Sequence, residues 1–241
     1  MFAKIAFASI ALVFAQALVS AQPASGSAAV QIRAMLHDPT RQTVDLFVAD
    51  QNGSVVKLNL LPANLSPAQM TTPVNGSVVF YNTASVDLKK PQDHIVGTLK
   101  LPASTRKAII ILLPSAPGSS TFRSLLIDET GNEFPKGESR VLSLVPVETA
   151  IEAGEHKLPL ASGKITPVPA VKKVNEYNMA QTNFYYKEKD AWVTFTERQI
   201  QYLDNFRRIF IIFVPPGGNQ PFISTIVDTV PVKIPGAPAV P

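Results

Sequence analysis

The sequence predicts an all-β protein built from two tandem immunoglobulin-like antiparallel β-sandwich units. Twenty-one Pro and twelve Gly divide the 241 residues into short segments. Many of these segments are rich in Val, Ile, Leu, Phe and Thr, which is typical of a chain with many short strands. Asn-Gly pairs at 52–53 and 75–76 precede apolar runs, and Asn-Gly supplies the positive φ angles of a tight hairpin turn. An internal repeat sets the number of units.

The repeat is strongest in two pairs of apolar segments that occur in the same order in both halves. LKLPASTRKAIIILLP at 99–114 aligns without a gap on IQYLDNFRRIFIIFVP at 200–215. FRSLLID at 122–128 matches FISTIVD at 222–228. Each half is therefore expected to contain the same strand, turn, basic pair and strand, followed by a further strand.

Two weaker matches extend the repeat. IRAMLHD at 32–38 gives a third copy of the FRSLLID segment, and GSVVKLNLLP at 53–62 matches GESRVLSLVP at 137–146. The segment Thr196–Arg208 could also be a helix with a capping box. Because its counterpart contains Pro102, which disfavours a continuous helix, we predict strand, turn and strand in both copies.

The repeat predicts two equivalent β-hairpins. In the first, Ile109–Leu113 is expected to pair with Leu125–Asp128 across the turn PSAPGSS. In the second, Ile211–Val214 is expected to pair with Thr225–Asp228. Different secondary structures in the two places would make the repeat a coincidence between apolar strings.

The organisation predicted from the repeat is a signal peptide at 1–21, a flexible segment at 22–29, one sandwich unit at 30–119, a second at 120–230 and a Pro-rich tail at 231–241. Sandwiches are the simplest architecture for all-β units of about one hundred residues. The tail contains several Pro and is expected to be extended and mobile.

The first residues indicate export. Lys4 precedes the apolar run Ile5–Val19, and a small residue, Ala21, closes a cleavage site, which together are typical of a secretory signal peptide. The mature chain is expected to begin at Gln22 and to be periplasmic or extracellular. Later runs are shorter than the roughly twenty apolar residues that a spanning helix needs, so no transmembrane segment is expected.

Composition excludes several classes of function. The chain has no Cys, which excludes disulfides, zinc ribbons and cysteine nucleophiles. The 22 basic and 18 acidic residues are not gathered into a block, so nucleic-acid binding is not indicated. The basic pairs Lys89-Lys90, Lys172-Lys173 and Arg207-Arg208 are interpreted as solvated strand ends, with an anionic surface as the alternative partner.

Several motifs carry a resemblance to known proteins. They are IIILLP, FRSLLID, FPKGESRVLSL, AGEHKLPL and RRIFIIFV followed by STIVD. In these motifs the chain resembles a group of exported bacterial β-proteins whose function is not established. The resemblance implies a β fold and an envelope or extracellular location, and it carries no catalytic residues. The proposed pair of sandwiches is similar to periplasmic pilus chaperones in architecture only.

No catalytic, cofactor-binding or metal-binding residues are predicted. His37, His94 and His156 lack the spacing of a metal pair, and no Gly-x-Ser-x-Gly elbow is present. Asp38, Asp128 and Asp228 end matched segments. We interpret these carboxylates as caps that accept hydrogen bonds from turn N–H groups, with acid, base or calcium roles as alternatives.

The most distinctive surface prediction concerns residues 182–196, read as a hairpin with Lys187–Asp190 as its turn and Tyr185 opposite Trp192. Alternation along the strands then gives a core face of Phe184, Tyr186, Ala191, Val193 and Phe195, and an outer face of Asn183, Tyr185, Lys187, Trp192 and Thr194. The outer face is a candidate aromatic platform for a glycan or an envelope protein. Sandwich domains commonly bury their Trp, so a core position for Trp192 is the alternative.

The sequence therefore favours a cell-envelope binding or structural module without intrinsic catalysis. A periplasmic chaperone-like protein with two domains is the first alternative, and a hydrolase that uses scattered Asp and His is the second. The oligomeric state and the identity of the partner stay open.

Overall fold

A computed structural model describes residues 28–40 and 44–229 of the chain. The predicted signal peptide, most of the segment at 22–29 and the Pro-rich tail lie outside the described residues. In the described part, no helix is long and apolar enough to cross a membrane.

In the first half, the described residues form eight strands and one single-turn 3-10 helix at Gln92–His94. The strands are β1 (Val30–Leu36), β2 (Leu46–Ala49), β3 (Val55–Leu58), β4 (Gln69–Thr71), β5 (Ser77–Tyr81), β6 (Ile95–Lys100), β7 (Lys107–Pro114) and β8 (Phe122–Asp128). The predicted Asn-Gly turn before β5 is present, since Asn75 and Gly76 have φ angles of 51° and 71°.

The second half repeats this composition after a 3-10 turn at Thr130–Asn132. Its strands are β9 (Ser139–Ser143), β10 (Thr149–Ala153), β11 (His156–Leu160), β12 (Ile165–Val168), β13 (Met179–Glu188), β14 (Ala191–Gln201), β15 (Phe206–Phe213) and β16 (Phe222–Thr229). The segment at 196–208 is strand, turn and strand, as the repeat predicted, and not a helix.

The two halves have the same topology, which confirms the all-β fold with two tandem sandwich units. The first half forms sheets of order β4-β1-β7-β8 and β3-β2-β5-β6, and the second forms β12-β9-β15-β16 and β11-β10-β13-β14. Each strand of one half has its counterpart eight strands later. Pairing is antiparallel except for β1 with β7 and β9 with β15, which are parallel.

The first sandwich continues beyond the predicted boundary at residue 119. Strand β8 pairs along its length with β7, from Ala108 opposite Asp128 to Pro114 opposite Phe122. Because a strand belongs to the sheet whose ladder it completes, the first unit extends through Asp128.

Both predicted hairpins are present, with a correction to the second register. In the first, Ile109 to Ile111 lie opposite Ile127 to Leu125, close to the prediction. In the second, Thr225 to Asp228 lie opposite Phe210 to Arg207 and not opposite Ile211–Val214.

The two weaker sequence matches are not structural equivalents. The segment at 32–38 forms most of β1, which is the parallel neighbour of β7 and not a copy of β8. The segments at 53–62 and 137–146 contain β3 and β9, which occupy different positions in the two sandwiches. Short apolar strands resemble one another whatever their place in a sheet, because burial demands the same residue types.

Three hydrophobic cores connect the four sheets. The first core fills the first sandwich and includes Ile32, Phe80 and Ile110; the second core fills the second sandwich and includes Ile151, Phe184 and Phe210. A third core, which we call the shared core, lies between the sandwiches. Its buried members are Met35, Leu65, Ile109, Ile111, Leu113, Ile127, Phe134, Leu142, Ile209, Ile211 and Ile226.

The shared core explains the long apolar runs in β7 and β15. In β7, Ile110 points into the first core while its neighbours Ile109 and Ile111 point into the shared core. Strand β15 alternates likewise between the second core and the shared core. A strand buried on both faces has no polar side, so its sequence is continuously apolar.

Candidate functional site

The predicted aromatic platform lies on the β13–β14 hairpin, with a tighter turn than expected. Glu188 pairs with Ala191, so Lys189 and Asp190 alone form the turn, and Lys189 adopts a positive φ of 54°. Trp192 consequently lies opposite Lys187, while Tyr185 lies opposite Thr194. The predicted pairing of Tyr185 with Trp192 is therefore wrong. The two side chains are on the same face of the sheet, but they are not directly opposite each other.

Trp192 faces away from the second core. Phe184 is fully buried, and its ring lies 5.3 Å from that of Phe210 and 6.3 Å from that of Phe195. Trp192, on the opposite face, is 50% exposed. The structure therefore places Trp192 on the outer face of the sheet, and the alternative of a core tryptophan is wrong.

Side chains from four neighbouring strands form a shallow apolar trough on this outer face. Pro159 of β11 lies opposite Ala150 of β10, and Ala150 lies opposite Tyr185 of β13. With Trp192 of β14, these residues line a cavity of about 310 Å³ together with Lys157 and Leu158. Ala150 has only a methyl group, so it forms the low floor between larger neighbours.

Charged groups form the rims of the trough and are paired with each other. On one side Tyr185 Oη donates to Glu152 Oε2 at 2.8 Å, and Lys157 Nζ lies 3.9 Å from the same oxygen. On the other side Lys187 Nζ donates to Glu148 Oε1 at 3.1 Å. Desolvation, assisted by the hydrogen bond to Glu152, raises the pKa of Tyr185.

Not all four predicted platform residues line the trough. Tyr185 and Trp192 do, and Lys187 lies on the rim. Asn183 lies on the same face but further along β13, opposite Glu197 and outside the trough. Its Oδ1 accepts a hydrogen bond from Gln181 Nε2 at 2.6 Å. Gln199 in turn donates to Gln181 at 2.8 Å. Ala150 and Pro159 were missed because the strand pairing that brings them beside Tyr185 is not readable from local sequence.

Two of the three predicted aspartate caps are confirmed. Asp38 Oδ1 accepts the backbone N–H of Thr40 at 2.9 Å, and Asp128 Oδ1 accepts that of Thr130 at 2.8 Å. Asp228 is different, because its carboxylate binds the guanidinium groups of Arg33 and Arg207. The cap interpretation of Asp228 is therefore wrong.

A second candidate site lies beside His37, at the ends of β7 and β15 where the two sandwiches meet. Two cavities of about 540 and 560 Å³ share His37, Asp38, Pro39 and Phe213 in their walls. The His37 ring packs edge-on against Phe213, with 4.6 Å between centroids. His37 Nε2 is buried and has no hydrogen-bond partner.

The remaining candidates for chemistry lie apart from these cavities. His156 follows the tip of the β10–β11 hairpin, and its Nε2 lies 3.2 Å from the carbonyl of Ala170. His94 Nδ1 lies 3.3 Å from Asn82 Oδ1. Within residues 28–40 and 44–229, no group of three or more His, Asp or Glu side chains is placed to hold a metal ion.

His37 predicts a loss of stability in mild acid. Burial lowers its pKa to about 4, against an ordinary value near 6.5, with Asp38 opposing the shift. The unfolded chain therefore takes up a proton between these values before the folded protein does. Since one pKa unit corresponds to about 1.4 kcal/mol, lowering the pH from 7 to 4.5 should cost about 2 to 3 kcal/mol through His37.

The test compares urea unfolding of the wild type and of His37→Phe at both pH values. Phe keeps the ring contact with Phe213 but cannot titrate, so the variant should lose less stability in acid than the wild type. An identical loss in the two proteins would contradict the assignment of a neutral, buried His37.

Comparisons with known proteins add little to this geometry. No family model matches the chain, and no curated protein matches it. Nine solved chains match, among them the crystal structure of a candidate cell adhesion protein from Bacteroides uniformis. That likeness has 9% identity and a TM-score of 0.21, and it covers 83% of this chain and 98% of the other. A structural similarity at this TM-score does not establish a shared fold or function. The resemblance to exported bacterial β-proteins stays a prediction.

Proposed function

We propose that the chain is an exported binding module of the cell envelope that has no catalytic centre of its own and binds its partner through the trough. The observation that carries this proposal is the half-exposed Trp192, which lies beside Tyr185 on the outer face of the sheet. Large aromatic side chains dominate binding energies, and burying one on contact releases a large apolar area from water.

Two further observations support the proposal. The pattern at 1–21, with Lys4 before an apolar run and Ala21 at its end, supports export. The scattered positions of His37, His94, His156 and the three aspartates support binding without catalysis, because a catalytic centre needs a base, its orienting partner and a nucleophile within hydrogen-bond reach.

Replacing Trp192 by Ala should weaken binding to an envelope extract about 30-fold, because an aromatic hot spot contributes about 2 kcal/mol. Stability should change by no more than about 0.5 kcal/mol, since the side chain lies outside the core. The measurements are binding to immobilised extract and a melting curve. Trp192 is the single Trp of the chain, so its fluorescence also reports directly on occupation of the trough.

Tyr177→Ala is the matched control for this experiment. Tyr177 is 64% exposed and precedes β13, at the end of the hairpin away from Trp192. It should bind the extract like the wild type. Equal binding by all three proteins would refute the trough as the binding surface, and a large fall in melting temperature for Trp192→Ala would show that the tryptophan contributes to the core.

A further inference from the structure

We propose that the trough takes a neutral glycan that lies across the strands, an inference that rests on the function proposed above. The trough crosses β11, β10, β13 and β14, from Pro159 to Trp192. Neighbouring strands are about 4.8 Å apart, so the trough is about 14 Å long. An elongated ligand fits this surface when its axis is perpendicular to the strands.

The composition of the trough matches the two sides of a sugar ring. One face of a pyranose presents mainly C–H groups, whereas its hydroxyls radiate from the edge. The floor and walls of the trough are apolar, with Ala150 and Pro159 beside the rings of Tyr185 and Trp192. Hydrogen-bonding groups stand only at the rims. A ring lying flat in the trough would therefore stack on aromatic carbon and direct its hydroxyls to the rims.

The charges at the rims favour a neutral ligand. Lys187 is paired with Glu148 at 3.1 Å, and Lys157 lies 3.9 Å from Glu152. Each cation thus already has an acidic partner. A charged ligand would compete with the groups of these pairs, whereas hydroxyl groups can donate to the free lone pairs of the Glu152 and Glu148 carboxylates.

The limited apolar area favours a glycan over a protein partner. A standard protein interface buries about 800 Å² on each side and has an apolar centre. Here the next outward-facing residues along β13 and β14, on the side away from the turn, are polar. Asn183 lies opposite Glu197, and Gln181 lies opposite Gln199. On the side away from the turn, the apolar surface therefore ends at the next pair of residues beyond Tyr185, which suits a narrow ring ligand better than a broad protein surface.

The direct test fills the floor of the trough without removing any group that contacts the ligand. Ala150→Leu adds a side chain on the outer face, because its neighbours Thr149 and Ile151 are the ones that point inward. The probes are four neutral polysaccharides, dextran, mannan, xylan and a mixed-linkage β-glucan, and two charged ones, polygalacturonate and chitosan. Binding is measured by retardation in affinity gels and by the shift of Trp192 emission.

We expect at least one neutral polysaccharide to bind the wild type, with little dependence on salt. Ala150→Leu should weaken that binding at least tenfold. Ala84→Leu, which makes the same change at an exposed position of the first sandwich, should bind like the wild type. Binding to the charged polysaccharides alone, or equal binding by Ala150→Leu, would overturn the inference.

Treatment of the envelope extract separates failure of this inference from failure of the proposed function. Periodate cleaves the vicinal diols of sugars and should abolish Trp192-dependent binding to the extract, whereas protease treatment should leave it intact. The opposite result would identify a protein partner, and would overturn the glycan while preserving the binding module. An extract that binds Trp192→Ala and wild type equally would contradict the proposed function itself.

Discussion

Replacing Asp228 by Ala is expected to lower the free energy of unfolding by about 3 to 5 kcal/mol, because removing one partner from a buried ion pair leaves the other charge uncompensated. Asp228 is only 7% exposed. Its Oδ1 accepts a hydrogen bond from Arg33 at 2.6 Å, and its Oδ2 accepts one from Arg207 Nε at 3.0 Å. Alanine would leave both guanidinium groups with Glu129 as the remaining carboxylate.

The Asp228 cluster joins the two sandwiches. Arg33 belongs to β1 of the first unit, whereas Arg207 and Asp228 belong to β15 and β16 of the second. Glu129, at the end of the first unit, binds both arginines. The guanidinium of Arg207 also lies 4.7 Å from the ring centroid of Phe134, a member of the shared core. Two positive and two negative charges therefore neutralise each other at one end of the interface.

The expected loss is measured by urea unfolding at pH 7, with Asp45→Ala as the control. Asp45 forms an ion pair with Lys57 at 2.7 Å, but the two side chains are 64% and 51% exposed. Surface pairs contribute at most about 1 kcal/mol. Similar losses in the two variants would show that the cluster stabilises the protein no more than a surface pair does.

The pKa of Asp228 also predicts how the stability of the protein changes with pH. Burial opposes the ionisation of Asp228, but the hydrogen bonds and charges of Arg33 and Arg207 outweigh burial and lower its pKa. The contribution of Asp228 to stability is therefore fully present above the ordinary aspartate pKa. It is lost as the pH falls through the lower pKa of the folded state.

The sequence predicted the repeated strands but not the role of Asp228. The repeat aligns Asp228 with Asp128, and the sequence predicts a turn cap at both positions. Asp128 does accept a hydrogen bond from a turn N–H group, that of Thr130. Asp228 instead binds Arg33, 195 residues away in the chain. Local spacing identifies a cap because the partner is two residues away, but it contains no information about a partner in the other sandwich.

The long apolar strands were predicted correctly as strands, yet their alignment has the wrong phase. The gapless match sets Ile109 on Phe210, but Ile109 belongs to the shared core and Phe210 to the second core. Phase is normally read from the alternation of apolar and polar residues. Strands buried on both faces lack that alternation, so shifting their alignment by one residue leaves the sequence similarity almost unchanged.

The outer face of the β13–β14 hairpin could be predicted because its strands do alternate. Phe184 and Trp192 fall on opposite faces in the structure, as the sequence indicated. The register of Tyr185 was wrong because the turn is shorter than expected. The floor of the trough could not be predicted from the sequence. Nothing in the local sequence distinguishes Ala150 and Pro159, which lie beside Tyr185 only because β10 and β11 pair next to β13.

The second large effect is expected from Ile211→Ala, which should lower the free energy of unfolding by about 2 to 5 kcal/mol. Ile211 is fully buried in the shared core, which also contains the fully buried Ile111 of the first sandwich. Deleting its side chain leaves a cavity between two sheets that are each held by their own hydrogen bonds. Such sheets cannot easily collapse to fill the cavity.

Because the shared core contains side chains from both units, the two sandwiches are expected to unfold in one cooperative transition. Hydrogen exchange of Ile211→Ala should therefore show weakened protection in strands of both sandwiches, including β5 of the first. Val227→Ala is the control, since Val227 lies on the adjacent strand but is 41% exposed, and it should change stability by no more than about 0.5 kcal/mol. Weakened protection confined to residues 139–229 would show that the units unfold independently, and that the shared core holds two separate domains together without coupling their folding.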